Sequence, residues 1–239
     1  MKRCIILGAS SGIGREVALL LLKEGWKIGI GARRTDKLNE IKELAPNNVF
    51  VQEIDVNAND AIQNLDNLIR QMGGMDLFFY SVGIGWQNPN LEEEKELKTI
   101  QTNAMAFTRI IGHAFRYFEA RKQGHIACVS SIAGTKGLGP APAYSATKAL
   151  QNTYFQALEQ MARKKKLNII LTDIKPGFVD TELLNGTRFP MLMKSSAVAD
   201  KIVNALKAQR HTIIIDWRWR IITSFWKLIP NYLWRKLPL

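Results

Sequence analysis

The residues with the most chemistry in them are Ser131, in VSSIAG, and Tyr144 and Lys148, in YSATK. Tyr144 and Lys148 are four apart, so on a helix they stand on one face, a turn apart. A phenol and an ammonium held that way suit proton transfer to or from an alcohol or carbonyl oxygen. A free tyrosine ionises near pH ~10, too high for a base at neutrality, and a neighbouring cation is expected to lower that value. A serine hydroxyl beside them can hold the substrate oxygen while the proton moves. Tyr-x-x-x-Lys by itself arises on many helices, so the reading depends on whether the chain also supplies a hydride carrier.

The elements that must position these groups alternate from the start. CIIL reads as a buried strand, Gly12 to Lys23 as a helix with an apolar stripe, and KIGIGA as a second strand, followed by a polar helix through Leu44. VFVQEI, DLFFYS, HIACVS, NIILTDI and a short TIIID continue the strands. Helices are expected over 61–72, 91–121, 143–165 and 196–209, the second of them kinked near Gly112. Near-continuous apolar strands between amphipathic helices predict a mostly parallel, seven-stranded sheet covered on both faces. Right-handed crossovers then give a single doubly wound, Rossmann-like α/β domain over 1–216, with an amphipathic C-terminal tail over 217–239.

The first strand ends in Gly8-Ala9-Ser10-Ser11-Gly12-Ile13-Gly14, directly before a helix. Without side chains, the glycines let backbone amides approach a pyrophosphate at the positive end of that helix. The second strand ends in Gly31-Ala32-Arg33-Arg34, with no carboxylate where NAD enzymes place one for the ribose hydroxyls. Two guanidiniums there can hold a 2′-phosphate, which predicts NADP, with NADPH preferred over NADH.

Together these features resemble the short-chain dehydrogenase/reductase family, over roughly residues 1 to 215. GASSGIG is similar to the family's TGxxxGxG, with Leu7 in place of the usual threonine. The resemblance implies that Asp55 and Val56 contact the adenine and that Asn103, in QTNAMAF, holds a water in a proton relay. It implies that Tyr144 is the general acid/base. Lys148 would bind the nicotinamide ribose and lower the tyrosine pKa, and Ser131 would polarise the substrate oxygen. The segment Pro176-Gly177-Phe178-Val179-Asp180-Thr181 matches PGxVxT, which fixes the nicotinamide carboxamide. One departure is plain. The family's NNAG reads Tyr80-Ser81-Val82-Gly83 here, so Gly83 keeps the close backbone approach while the stabilising asparagines are missing. The implied protein is a homo-oligomeric carbonyl reductase or alcohol dehydrogenase, a dimer or tetramer.

On the substrate side, Leu183, Leu184, Phe189, Met191, Leu192 and Met193 make the stretch between Thr181 and Ser196 apolar. It reads either as a flap over an apolar substrate or as a loop packed on the core. Trp86 is a further candidate for that pocket. The expected substrate is an apolar, lipid-like ketone or secondary alcohol.

The net charge of +12 is concentrated in two places, Arg163 to Lys166 and the last 30 residues, where six cations face Asp216 alone. In WRWRIITSFWKLIPNYLWRKLPL, Trp217, Ile221, Phe225 and Leu228 recur at helical spacing, and Pro230 should break the helix. Aromatic and cationic residues on a short segment suit a lipid headgroup region. Packing on a partner subunit or over the substrate pocket is the competing reading. A second class of function is suggested by the tail: an NADP-binding interaction protein recruited to a membrane or partner, without turnover. Nucleic acid is not expected, because no reader fold appears.

No Cys/His cluster has metal-ligand spacing, and Cys4 and Cys128 fall in strand-like runs as buried thiols. The N-terminal run does not read as a signal peptide, and no run reaches the ~18 apolar residues of a membrane span. The expected location is cytoplasmic, or at the inner face of a membrane.

Overall fold

In the computed structural model, which describes residues 2–184 and 189–237, the apolar runs pair into one seven-stranded sheet. β1 (Arg3–Leu7) lies between β2 (Lys27–Ala32) and β4 (Leu77–Tyr80). Beyond β2 comes β3 (Val49–Glu53), and beyond β4 come β5 (Gln123–Val129), β6 (Asn168–Pro176) and β9 (Thr212–Ile215). β7 (Val179–Asp180) and β8 (Met193–Lys194) form a small separate pair. Every strand pair among the described residues is parallel. The strand order therefore reverses between β1 and β4, and the carboxyl ends of these two strands flank the crevice where such sheets bind ligands.

The strands are apolar throughout because both faces are covered, and their period of two divides the core. Ile5 and Leu7 face α3 (Ala61–Met72), α5 (Phe107–Arg121) and α6 (Pro142–Lys164), meeting Leu65, Phe107 and Leu158. Cys4 and Ile6 face α1 (Gly12–Lys23), α2 (Thr35–Leu44) and α7 (Ser195–Lys207), meeting Val17, Leu38 and Ile202. Both cysteines are buried and unpaired. Phe107 joins the helices to the sheet: its ring lies 5.5 Å from Tyr80, edge-on, and 6.0 Å from both Tyr154 and Phe155.

The stretch expected to kink near Gly112 is different. α4 (Glu93–Ile100) continues through a π-helical segment, Gln101–Ala106, into α5, and Gly112 sits inside regular helix. A lone glycine weakens a helix without breaking it, whereas a π segment adds a residue to the turn and re-aims the helix beyond it. A Cβ at Gly112 would meet the Tyr154 hydroxyl at an ordinary contact distance of 3.4 Å. The irregular turn carries Asn103, whose side chain reaches toward the end of β4.

The tail forms α8 (Trp217–Leu228) and α9 (Asn231–Trp234), separated at Pro230 as the sequence predicts. Asp216 caps α8 by accepting a hydrogen bond from the Arg218 amide. No helix among the described residues is long and apolar enough to cross a membrane.

Phe107→Ala should remove a fully buried ring from the junction of three elements and cost about 3–5 kcal/mol. The measurement is urea unfolding, where the midpoint should fall while the slope stays unchanged.

Candidate active site

The glycine loop after β1 leaves no space for side chains. A Cβ at Gly8, whose φ is +87°, would stand 2.9 Å from the Ser81 main chain, and one at Gly14 would stand 2.2 Å from the Gly8 carbonyl oxygen. The loop is thus pressed against the end of β4 and against its own helix. Ile13 anchors α1 in the core, and Ser11 makes no side-chain cap, which leaves first-turn amides of α1 for another acceptor. From the far side, Thr181 closes on the loop: a Cβ at Gly12 would lie 3.0 Å from its methyl carbon.

Arg34 stands over the same loop. Its Nη2 donates to Ser10 Oγ (3.1 Å), Ser11 Oγ (2.9 Å) and Glu182 Oε2 (2.8 Å), while Nη1 donates to Glu182 Oε1 (3.1 Å). Ser11 also donates to Glu182. The Arg34 guanidinium bond holds the Glu182 carboxyl below its ordinary pKa. Arg33 is exposed and makes no ion pair among the described residues. Asp55 sits in the turn after β3, where its Oδ1 accepts from the Asn57 amide at 3.0 Å. The Val56 side chain is buried in the core and its carbonyl accepts from Arg109.

Ser131, Tyr144 and Lys148 meet at the carboxyl end of β5. Ser131 lies just beyond that strand, its Oγ accepting from the Ala133 amide at 3.0 Å. Tyr144 and Lys148 lie in the first two turns of α6, which opens with Pro142 at a position that needs no amide donor. Lys148 is 3% exposed, and its Nζ lies 5.6 Å from the Tyr144 ring centre. That Nζ donates to the Val129 carbonyl (3.1 Å) and to Gln151 Oε1 (3.0 Å). Burial lowers the Lys148 pKa to about 8.

Tyr144 departs from the sequence expectation. Burial raises its pKa, and the opposing influence is a hydrogen bond with Ser131. Lys148 directs its Nζ to Val129 and Gln151 rather than to the phenol oxygen, and desolvation of the phenolate prevails.

Asn103, fully buried, uses its side chain to pin the turn after β4: Oδ1 accepts from the Ile84 amide (2.9 Å) and Nδ2 donates to the Ile84 carbonyl (2.6 Å). Together with the Ser81 amide bonded to the Leu7 carbonyl at 2.9 Å, this holds the strand end that lacks the family's asparagines. The Asn103 main-chain carbonyl accepts from Gln151 Nε2 at 2.9 Å. Gln151 therefore links Lys148 to Asn103. Gly83 lies beside both groups: a Cβ there would be at ordinary contact distance, 3.4 Å from Lys148 Nζ and 3.5 Å from Asn103 Oδ1.

On the open side, Gly85 passes over the phenol, with Cβ space only 2.3 Å from a Tyr144 ring carbon. Trp86, the next residue, is half-buried. Pro176 and Val179 are buried, and Gly177 lies under the Trp219 indole. Phe189 stacks on Phe178 at 4.2 Å, and Trp219 meets Phe178 edge-on at 5.6 Å. Leu183 is exposed and Leu184 half-buried. Residues 185–188 of the apolar stretch lie outside the described residues; the β7–β8 pair ties its flanks, Val179 to Met193 and Asp180 to Lys194.

Three residues at the site escaped the sequence reading. Gln151 carried a signal, standing three residues after Lys148 on the same helical face. Glu182 and Trp219 carried none, because each reaches the site across the tertiary fold.

A family model described as short chain dehydrogenase matches residues 2–190. An uncharacterized oxidoreductase of Myxococcus xanthus is 30% identical over 238 residues, covering 96% of this chain and 93% of that protein. Among solved structures, an alcohol dehydrogenase from the archaeon Thermococcus sibiricus, complexed with 5-hydroxy-NADP, superposes with a TM-score of 0.80 at 21% identity, covering 90% of this chain and 96% of that one. A short-chain dehydrogenase from Sphingobium yanoikuyae, in complex with NADPH, gives 0.82 at 19% identity and covers 99% of this chain and 96% of that one. These likenesses establish the fold.

Gly14→Ala forces a methyl onto a backbone oxygen and should cost about 1–3 kcal/mol in urea unfolding. Gly137→Ala, whose Cβ would meet nothing within 4 Å, should stay within about 0.5 kcal/mol of the parent.

Proposed function

The chain belongs to the short-chain dehydrogenase family, and from that premise we propose that it is an NADPH-dependent carbonyl reductase, reversible as an alcohol dehydrogenase, acting on an apolar, lipid-like ketone or secondary alcohol. The observation that carries the reading is the convergence of Ser131, Tyr144 and Lys148 beside the glycine loop at the reversal of strand order. The site's residues fit a phosphorylated dinucleotide. The loop has the backbone-only surface a pyrophosphate needs, and Arg34 with Ser11 already grips a carboxylate, that of Glu182. The two structural neighbours, whose descriptions name NADP-type dinucleotides, support the same choice. The stacked Phe178 and Phe189 supply an apolar wall near the site.

When bound, the nicotinamide supplies the hydride. Ser131 holds the substrate oxygen by its hydroxyl. Tyr144 donates its proton to that oxygen as the carbonyl is reduced, and takes it back in the reverse direction. A raised phenol pKa serves reduction: the proton stays on Tyr144 at neutral pH until an alkoxide, a stronger base than the phenolate, draws it away. Lys148 holds the ribose hydroxyls with its ammonium, which Val129 and Gln151 keep in place. Asn103 fixes the Ile84 turn through its side chain. Asp55, in the turn after β3, would meet the adenine, while Val56 anchors that turn in the core.

Tyr144→Phe should lower kcat for carbonyl reduction by about 10²–10⁴-fold while NADPH still binds. Reduction that survives this change removes the proton-transfer role. In the parent protein kcat/KM for reduction should fall as pH rises through about 8, because Lys148 loses its proton there. A profile flat to pH 9 would contradict the role given to the ammonium. Glu182 competes with a 2′-phosphate for Arg34. An exposed pair of this kind is worth up to about 1 kcal/mol, so Glu182→Gln should tighten NADPH by about two- to fivefold and leave NADH unchanged. Arg34→Ala should weaken NADPH selectively; equal effects on both dinucleotides place the phosphate elsewhere.

A further inference from the structure

The stripe of Trp217, Ile221, Phe225 and Leu228 does not pack on the protein. α8 is held by its opposite side, where Trp219 and Thr223 are buried and Trp226 meets Trp219 and Trp234 edge-on. Trp217 is 69%, Phe225 63% and Leu228 77% exposed, and Tyr232 and Leu233 of α9 are exposed as well. At 100° per residue the stripe occupies one side of α8, with Arg220 and Lys227 exposed along one margin and Arg218, ion-paired with Asp216, along the other. The 23 residues from Trp217 carry five cations and no carboxylate. Beside α9, a cleft of about 390 Å³ adds Lys136 and Arg235.

We propose that the outer face of α8 and α9 docks on an anionic phospholipid surface, with the apolar stripe entering the headgroup–acyl boundary and the flanking cations meeting lipid phosphates. Long cationic side chains bordering an apolar stripe suit that interface, because their stems lie along apolar material while their heads stay wet. A second copy of the chain is the weaker occupant. A two-fold contact sets a patch against itself, and this patch would bring five cations against five, with Asp216, already paired to Arg218, as the adjoining carboxylate. Docking would also set the Phe178–Trp219 wall about one helix diameter, ~10 Å, from lipid. That consequence rests on the function proposed above; the docking does not.

The test is sedimentation of the full chain with phosphatidylcholine vesicles, alone or mixed with phosphatidylglycerol, without substrate or cofactor. Its outcome is therefore independent of whether the protein reduces carbonyls. Binding to the anionic vesicles, weaker on neutral ones and weaker in ~0.5 M salt, is expected. The triple variant Ile221→Ser, Phe225→Ser, Leu228→Ser, altered only at exposed positions, should lose at least about tenfold in partitioning. The pair Arg220→Gln, Lys227→Gln should lose the anionic preference. Failure of the parent to bind anionic vesicles overturns the proposal, as does equal binding by the parent and the triple variant. A dimer in sedimentation equilibrium that the triple variant abolishes, without vesicle binding by the parent, overturns it in favour of a second copy.

Discussion

A positive charge kept almost out of water is the constraint that the architecture around the site has to satisfy. Desolvating an ammonium costs several kcal/mol unless hydrogen bonds replace the lost hydration. Around Lys148 the replacements come from separate parts of the fold: the Val129 carbonyl at the end of β5 and the Gln151 amide one turn along α6. For the carbonyl to point there, β5 must end at Val129, and α6 must begin where its first turns pass that end. The long helix and the parallel register that aligns the strand ends are parts of one solution to the burial of one charge.

Much of this was legible in the sequence, because it depends on local pattern. Strands buried on both faces write themselves as unbroken apolar runs, and a loop pressed against backbone on two sides writes itself as Gly8, Gly12 and Gly14. What escaped depends on which of several compatible surfaces is used. In α8 both sides are apolar: Trp217, Ile221, Phe225 and Leu228 on one, Trp219, Ile222 and Trp226 on the other. Periodicity finds both without choosing. Contact with Gly177 and Phe178 decides, and that contact spans more than 40 residues of chain. The π segment at Gln101–Ala106 is similarly silent, since its residues are ordinary for a helix and the extra residue in the turn is accommodated by packing. Glu182 joins Arg34 from 148 positions away, beyond any local signal. The raised Tyr144 pKa is silent in the sequence for a related reason. Sequence shows that a cation is four residues distant, but not that the cation is buried and bonded to Val129 and Gln151.

The aromatic residues connect the site to the tail. From Phe189 through Phe178, Trp219 and Trp226 to Trp234 the rings touch in series, and the Trp234 indole donates to the Gly137 carbonyl in the loop just beyond Ser131. Lys136, in the same loop, donates to the Ile229 carbonyl and to Asn231. The tail is therefore bonded to the loops on both sides of the catalytic candidates. A displacement of α8 would be felt at Phe178 and at Gly137 together.

The glutamine between Lys148 and Asn103 has a further consequence. A carboxamide in that position aligns dipoles and holds distances, bonded to the ammonium through its oxygen and to the Asn103 carbonyl through its nitrogen. The Lys148–Gln151–Asn103 line is thus a mechanical strut. It spans from the end of β5 through the early turns of α6 to the π segment, so a shift of any one of the three is carried to the other two.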